Sequence, residues 1–276
     1  MPIEQAVIPV LDRGFIFGDG VYEVIPVYSR RPFRLGGHLD RLQASLDSIR
    51  LQNPHSENEW QELIDRLIKL NEAKDQSLYL QVTRGVAKRD HAFPKTVKPT
   101  VFIMSNPLVP PTAEQINAGV AAITAVDNRW LRCDVKSTAL LPNVLLRQLA
   151  ADAGCVETLL LRDGMLTEGS ASNAFVVNKG VLLTPPKSNL MLPGITYDVV
   201  LELARANAVR HDVRNISEAE LREAEELWIS SSSREILPVT KLDGTAVGSG
   251  RPGPIFQRMH QLYQDYKMQV MRVADV

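Results

Sequence analysis

The stretch Arg132-Cys133-Asp134-Val135-Lys136-Ser137-Thr138-Ala139-Leu140-Leu141-Pro142-Asn143 holds one lysine in a run of mostly small or apolar residues. A surface lysine usually sits among polar neighbours. Lys136 leads instead into Ser-Thr-Ala-Leu-Leu and then a helical apolar pattern. One reading has it pointing inward and doing amine chemistry. The plainer reading is a solvated loop lysine, and the surrounding chain has to decide between them.

Around this stretch, the second half of the chain mixes strands with helices. Val120 to Val126 reads as a strand. Asn143 to Ala153 reads as a helix, ended by Gly154. Strands follow at Val156 to Leu161, Asn173 to Val177 and Val181 to Leu183, with turns at Asp163-Gly164 and Lys179-Gly180. Pro193-Gly194 opens a helix over 195–206, and Ser217 to Glu220 has capping-box spacing. Leu227 to Ile229 is a strand that enters four serines, Ile236 to Leu242 is another, and the tail from Pro254 is helical.

Before it, Asp12 to Gly20 reads as a glycine-punctuated loop. Val21 to Tyr28 reads as a strand, with Pro26 marking an edge or a bulge. Gly36-Gly37 are expected to precede a helix that runs through about Ile49, a second helix is expected from about Glu57 to Glu72, and strands at Ser77 to Thr83 and Thr100 to Met104. Prolines 107, 110 and 111 suit neither a helix nor a sheet interior, so 106–112 reads as a stiff linker. The expected domains are 1–111, a small α/β unit, and 112–276, a larger one.

Composition bounds the function. The 276 residues are 45% hydrophobic and 23% charged, with a formal net charge of -1. Such a chain carries a full core, and its overall charge favours neither nucleic acid nor an anionic membrane. No apolar run approaches the roughly 20 residues of a membrane helix. Cys133 and Cys155 form neither a disulfide framework nor a Cys-x-x-Cys site. A cytoplasmic protein is expected.

Common catalytic signatures are missing. Gly18-Asp19-Gly20 begins like a dinucleotide loop, but Glu23 stands where the third glycine belongs. There is no phosphate-loop Gly-Lys-Ser/Thr, no His-Glu-x-x-His and no Gly-x-Ser-x-Gly.

Four features remain: Lys136; Thr167-Glu168-Gly169-Ser170-Ala171-Ser172-Asn173 at a strand end; Leu192-Pro193-Gly194-Ile195-Thr196 opening a helix; and Ser230 to Ser233. Singly, each has a plain reading as a turn carboxylate, loop punctuation or a solvated serine loop. Together they supply an amine, a carboxylate and an anion cradle. Pyridoxal phosphate requires that set: the amine for its aldehyde, the carboxylate for its ring nitrogen, the helix start and hydroxyls for its phosphate.

With these residues the chain resembles the fold-type IV pyridoxal-phosphate enzymes, and within them the D-amino-acid aminotransferases. The likeness runs through Asp12-Arg13-Gly14, Phe17 to Glu23, His38 to Leu42, Arg129 to Ser137, Glu168 to Asn173 and Gly194 to Val200. It implies an α+β fold with a small N-terminal domain and a larger domain of barrel-like sheet and surrounding helices. It implies Lys136 as the Schiff-base lysine and proton shuttle, and Glu168 as partner of the ring nitrogen. Arg41, Ile195, Thr196, Ser231 and Ser232 are implied at the phosphate, although the family usually has threonine where Ser232 stands. His38 is read as structural.

Arg89 and His91 alternate past Asp90, so an extended loop turns them the same way. An arginine fork beside an imidazole suits a carboxylate, while the plain alternative is a solvated basic loop. By resemblance the pair binds the substrate carboxylate together with Tyr22, in a trap completed across a homodimer interface. D-alanine with 2-oxoglutarate is the implied substrate pair. The alternatives are a branched-chain L-aminotransferase, an aminodeoxychorismate lyase or a binding protein that kept the fold. The first two are not expected to carry the Arg-x-His pair.

Overall fold

The computed structural model describes residues 2–96 and 98–271. By contacts the chain forms two compact units. The first takes the chain up to Leu108 together with Val135–Leu140, and the second takes Val109–Asp134 and the chain from Leu141 onward.

In the first unit, helix α1 (Arg13–Phe17) precedes strands β1 (Gly20–Tyr28) and β2 (Arg31–Pro32). Helices α2 (Leu35–Ser48) and α3 (Glu57–Leu70) follow, then strands β3 (Gln76–Thr83) and β4 (Thr100–Pro107). The sheet order is β2-β1-β3-β4, with every pair antiparallel. One sheet face buries Val21, Ile25, Leu78, Leu80 and Val82 with Leu39, Leu42 and Leu46 of α2 and Trp60 and Ile64 of α3. Full burial of one such leucine stabilises by about 1.5–3 kcal/mol. The helix starts agree with the local chemistry. Ser56 and Glu59 form a reciprocal capping box at α3.

Two local expectations are corrected and a third, for Pro26, is narrowed from an edge or a bulge to a sparsely paired edge. Within the expected loop 12–20 lies one helical turn, because the Asp12 carboxylate accepts from the Gly14 amide and Gly18 ends the turn in the left-handed region. Helix α2 begins at Leu35, so Gly36 and Gly37 lie inside its first turn. Strand β1 carries Pro26 without a bulge, since it runs in continuous register against β3 from Gly20 to Val27. Its other edge meets β2 only at Val27 and Tyr28, so the missing proline N–H interrupts no long ladder.

That sparsely covered edge explains the return of the chain. The Tyr22 amide donates to the Lys136 carbonyl at 3.0 Å, and the Thr138 amide donates to the Gly20 carbonyl at 3.0 Å. Val21 and Ser137 form an isolated bridge. Division of the sequence at 111/112 assigns Lys136 to the second part, whereas its backbone is stitched to β1 of the first.

The second unit contains α4 (Ala113–Ala118), β5 (Val120–Val126), α5 (Leu141–Asp152), β6 (Glu157–Arg162), β7 (Met165–Gly169), β8 (Asn173–Asn178) and β9 (Val181–Thr184). Next come α6 (Ile195–Ala206), β10 (His211–Val213), α7 (Glu218–Arg222), β11 (Glu226–Ser231), β12 (Glu235–Leu242), β13 (Thr245–Ala246) and α8 (Pro254–Met271). The short elements α4, β10 and β13 carry too few residues to announce themselves as a period. The sheet runs β10-β9-β8-β11-β12-β5-β6-β7, with β13 against β12. It is the curled sheet of the expected α+β fold. One face buries Leu159, Val176, Leu227, Ile229 and Leu237. On the other, Phe175 stacks on Trp228 at 4.7 Å, Tyr197 of α6 lies tilted 5.5 Å from Phe175, and Phe256 of α8 meets Trp228 edge-on. No helix among the described residues is long and apolar enough to cross a membrane.

Candidate active site

The first unit presents Lys136, Tyr22, Arg41, Arg89 and His91. Lys136 is half-buried. Its amide donates to Ser45 Oγ at 3.3 Å, and its Nζ lies 4.2 Å from the centre of the Tyr22 ring. Tyr22 also stacks on Tyr79 of β3 at 5.6 Å. An ammonium over an aromatic face is held by the ring quadrupole.

Glu23, the next residue in β1, turns to the opposite face, as strand alternation requires. There it is fully buried. Glu23 Oε1 accepts from Arg41 Nε at 2.7 Å, and Oε2 accepts from Arg41 Nη2 and is bonded to His38 Nδ1, both at 2.8 Å. Burial works to raise the Glu23 pKa, but the charge and hydrogen bonds of Arg41 hold it far below the ordinary carboxylate range. Burial pushes His38 down, so the imidazole stays neutral, with Glu23 opposing the shift.

Arg89 and His91 are exposed on the loop after β3. The Arg89 guanidinium lies 5.3 Å from the Phe17 ring, and the His91 ring lies 5.4 Å from it. Both therefore rest against one aromatic platform at the end of α1. Buried Arg13 fixes this loop. Its Nη1 donates to the carbonyls of Asp90 at 2.5 Å and Ala92 at 3.4 Å, on either side of His91. Its Nε donates to Asp19, which also receives two bonds from Arg84.

The second unit presents Glu168, Ile195, Thr196, Ser231 and Ser232. Glu168 is buried near the end of β7. Its Oε1 accepts from Arg129 Nη1 at 2.6 Å, and its Oε2 accepts from the Leu192 amide at 3.0 Å and Asn173 Nδ2 at 3.4 Å. Burial pushes the Glu168 carboxyl up to about 7, against the pull of Arg129. Burial also raises the nearby Cys133 thiol to about 11, which keeps it neutral.

Ile195 and Thr196 open α6, whose N-cap is Gly194 with no side-chain cap. A Cβ at Gly194 would stand 2.0 Å from Asn173 Oδ1, so a side chain there would push aside the Asn173 amide that donates to Glu168 and the Leu192 carbonyl. Uncapped first-turn amides attract an anion. Ser231 ends β11 and Ser232 begins the turn after it. Ser231 Oγ accepts from the Arg234 amide at 3.2 Å. Beside them Ser230 Oγ is buried with no hydrogen-bond partner among the described residues. Among the described residues no His, Cys, Asp or Glu cluster suits a metal ion.

Sequence reasoning passes over Glu23, Arg13 and Arg129. Glu23 registers as a missing glycine and as the end of a motif of the resemblance, without a role, although a charge between Val21 and Ile25 on an apolar strand face needs a buried partner. Arg129 lies inside a motif of the resemblance without a role. The Asp127-x-Arg129 pair in a short link between a strand and the lysine stretch is the available signal.

Residues 20–242 match the family described as Amino-transferase class IV. A D-alanine aminotransferase of Bacillus licheniformis is 41% identical, over 96% of this chain and 93% of that protein. One of Listeria monocytogenes is 40% identical, over 94% and 91%. Among solved structures, an Escherichia coli branched-chain amino acid aminotransferase superposes with a TM-score of 0.88 at 28% identity, covering 95% of this chain and 90% of the other. The branched-chain aminotransferase of the archaeon Thermoproteus uzoniensis, solved with norvaline, gives 0.86 at 26%, covering 95% and 90%.

Proposed function

This chain belongs to the class IV aminotransferases, and we propose that it transfers the amino group of a D-amino acid, D-alanine foremost, to a 2-oxo acid such as 2-oxoglutarate. The observation that carries this reading is the near full-length likeness to D-alanine aminotransferases. The branched-chain enzymes share the fold at lower identity. Arg89 and His91, set against one platform, supply the carboxylate-binding pair expected of the D-specific relatives.

Pyridoxal 5′-phosphate, when bound, supplies an aldehyde that joins to amino groups and a cationic ring that draws electrons from the substrate α-carbon. The residues present fit it. Ile195 and Thr196 offer uncapped amides, and Ser230 Oγ is a buried hydroxyl still wanting a partner. With Ser231, Ser232 and the guanidinium of Arg41, these are the residues that would hold its phosphate. Glu23 orients Arg41 for that task. Glu168 would pair with the ring nitrogen. Lys136 would anchor the cofactor aldehyde through Nζ, and its free amine would serve as the base that takes the substrate α-proton and holds it at Nζ. Tyr22, Arg89 and His91 orient the substrate carboxylate. The enzyme works in the cytoplasm as a homodimer whose carboxylate trap is shared between subunits.

A coupled assay offers D-alanine and L-leucine separately with 2-oxoglutarate. Turnover of D-alanine is expected, and turnover of L-leucine alone overturns the reading. Arg89→Ala lowers kcat/KM for D-alanine by roughly ten- to a hundredfold while the visible absorbance of the bound cofactor is unchanged.

A further inference from the structure

We propose that Arg129 is a positioning residue for the reaction: its buried guanidinium fixes the Glu168 carboxylate in place and favours its anionic form. The inference rests on the reading of Glu168 as partner of the cofactor ring nitrogen. Arg129 acts through Glu168 and not on substrate or cofactor.

The geometry begins with Asp127. Arg129 Nε donates to Asp127 Oδ1 and Nη2 donates to Asp127 Oδ2, both at 2.9 Å, and the Arg129 amide donates to Oδ1 at 3.2 Å. Asp127 is held in turn by Thr167 Oγ1 at 3.1 Å and Arg162 Nη2 at 3.1 Å. A guanidinium is planar, so fixing Nε and Nη2 fixes the direction of Nη1. Nη1 then meets Glu168 Oε1 at 2.6 Å. Nη2 also reaches the Leu190 carbonyl at 3.3 Å, which ties the fork to the segment whose Leu192 amide holds Glu168 Oε2.

The charges show what this bond does. The other donors to Glu168, the Leu192 amide and Asn173 Nδ2, are neutral. Asp127 repels it and Cys133 is a neutral thiol. Arg129 and Arg162 together balance Asp127 and Glu168. Without Arg129, one cation faces two buried carboxylates, and the cheapest relief is a proton on Glu168. A protonated Glu168 is a poor partner for a ring nitrogen that must itself carry a proton. Burial already brings the Glu168 carboxyl to about 7, so a modest loss of positive charge decides its state at neutral pH.

The test reads the carboxyl itself. Infrared difference spectra of the cofactor-stripped full chain are recorded across pH, and the Glu168 band is assigned by its loss in Glu168→Gln. Arg129→Met is expected to raise the midpoint of that band by at least about one pH unit. Arg129→Lys keeps the charge without the fork and should fall between, so it carries the test if Arg129→Met does not fold. Affinity for added pyridoxal 5′-phosphate at neutral pH should drop about tenfold or more in Arg129→Met, and recover as pH rises and Glu168 ionises. A purely structural role would not produce that recovery. A midpoint unmoved in both variants overturns the proposal. A moved midpoint with unchanged cofactor affinity supports the hold of Arg129 on the charge and overturns the assignment of Glu168 to the ring nitrogen.

Discussion

Glu23 in the first unit and Glu168 in the second are both buried carboxylates bonded to an arginine, and they end in opposite electrostatic states. Glu23 receives two guanidinium bonds and shares a third contact with an imidazole, and its carboxyl is held far below the usual range. Glu168 receives one guanidinium bond and two neutral ones, and its carboxyl rises to about 7. Its arginine is shared with Asp127. The difference is one of capacity. The charge of Glu23 is fully answered by protein, so Glu23 orients Arg41 and does little else. The charge of Glu168 is only partly answered, so it can still attract a cation brought from outside. Burial alone does not mark a functional carboxylate, but burial with incomplete compensation does.

The largest expected effect tests whether this pair belongs to a catalyst at all. Lys136→Ala should lower D-alanine turnover by about ten-thousandfold or more in the coupled assay, because the proposed base and covalent anchor vanish together. Normal turnover would strip the comparison of its chemical meaning. Next, the two carboxylates should separate under one substitution. Glu168→Gln is expected to cut kcat by about a hundred- to a thousandfold without loss of stability. Glu23→Gln should cost about 3–5 kcal/mol in urea denaturation, since it leaves buried Arg41 without its counter-charge. Equal stability losses would erase the contrast.

Titration sharpens it further. The folded-state pKa of Glu23 is depressed, so its contribution is present above the unfolded value of about 4.3 and is lost as pH falls toward the folded one. Glu168 has the opposite sign. Between about 4.3 and about 7 the unfolded carboxyl has lost its proton while the folded one keeps it. Stability of the cofactor-free chain therefore declines as pH rises through that window. Glu168→Gln should remove the decline and Glu23→Gln should leave it, as read from urea midpoints across pH. The smallest effect lies on the exposed loop. Arg13→Lys should raise KM for D-alanine by roughly three- to tenfold, with kcat and cofactor affinity unchanged, because it loosens the carbonyls flanking His91.

Much of this arrangement is legible from residues. β-Branched and aromatic content marks β1, a period of 3.6 marks α2, and turn chemistry marks 163–164 and 179–180, whose residues all take the positive φ that such hairpins require. Lys136, Glu168 and the Gly194 helix start stand out because their chemistry has to be combined to make sense. Arg129 and Glu23 do not stand out, because their importance comes from pairings across many residues and leaves no local period. The one-turn helix at Arg13–Phe17 is hidden for a similar reason: five residues are too few to show a repeat, and its cap and its left-handed glycine are ordinary loop residues as well.

The stitching of Lys136 and Thr138 onto β1 also has a consequence for biosynthesis. A ribosome releases the chain from the N-terminus, so β1 to β4 are made before the segment that closes the edge of β1 exists. At about 5–20 residues per second, the interval between residues 108 and 140 is roughly two to six seconds. Throughout that interval the Tyr22 N–H and the Gly20 carbonyl lack the partners they have in the finished protein. An unfinished strand edge is a template for pairing with another chain. The lysine stretch is thus the piece that retires a nascent-chain hazard, and slow codons between 109 and 134 should increase aggregation of the newly made protein.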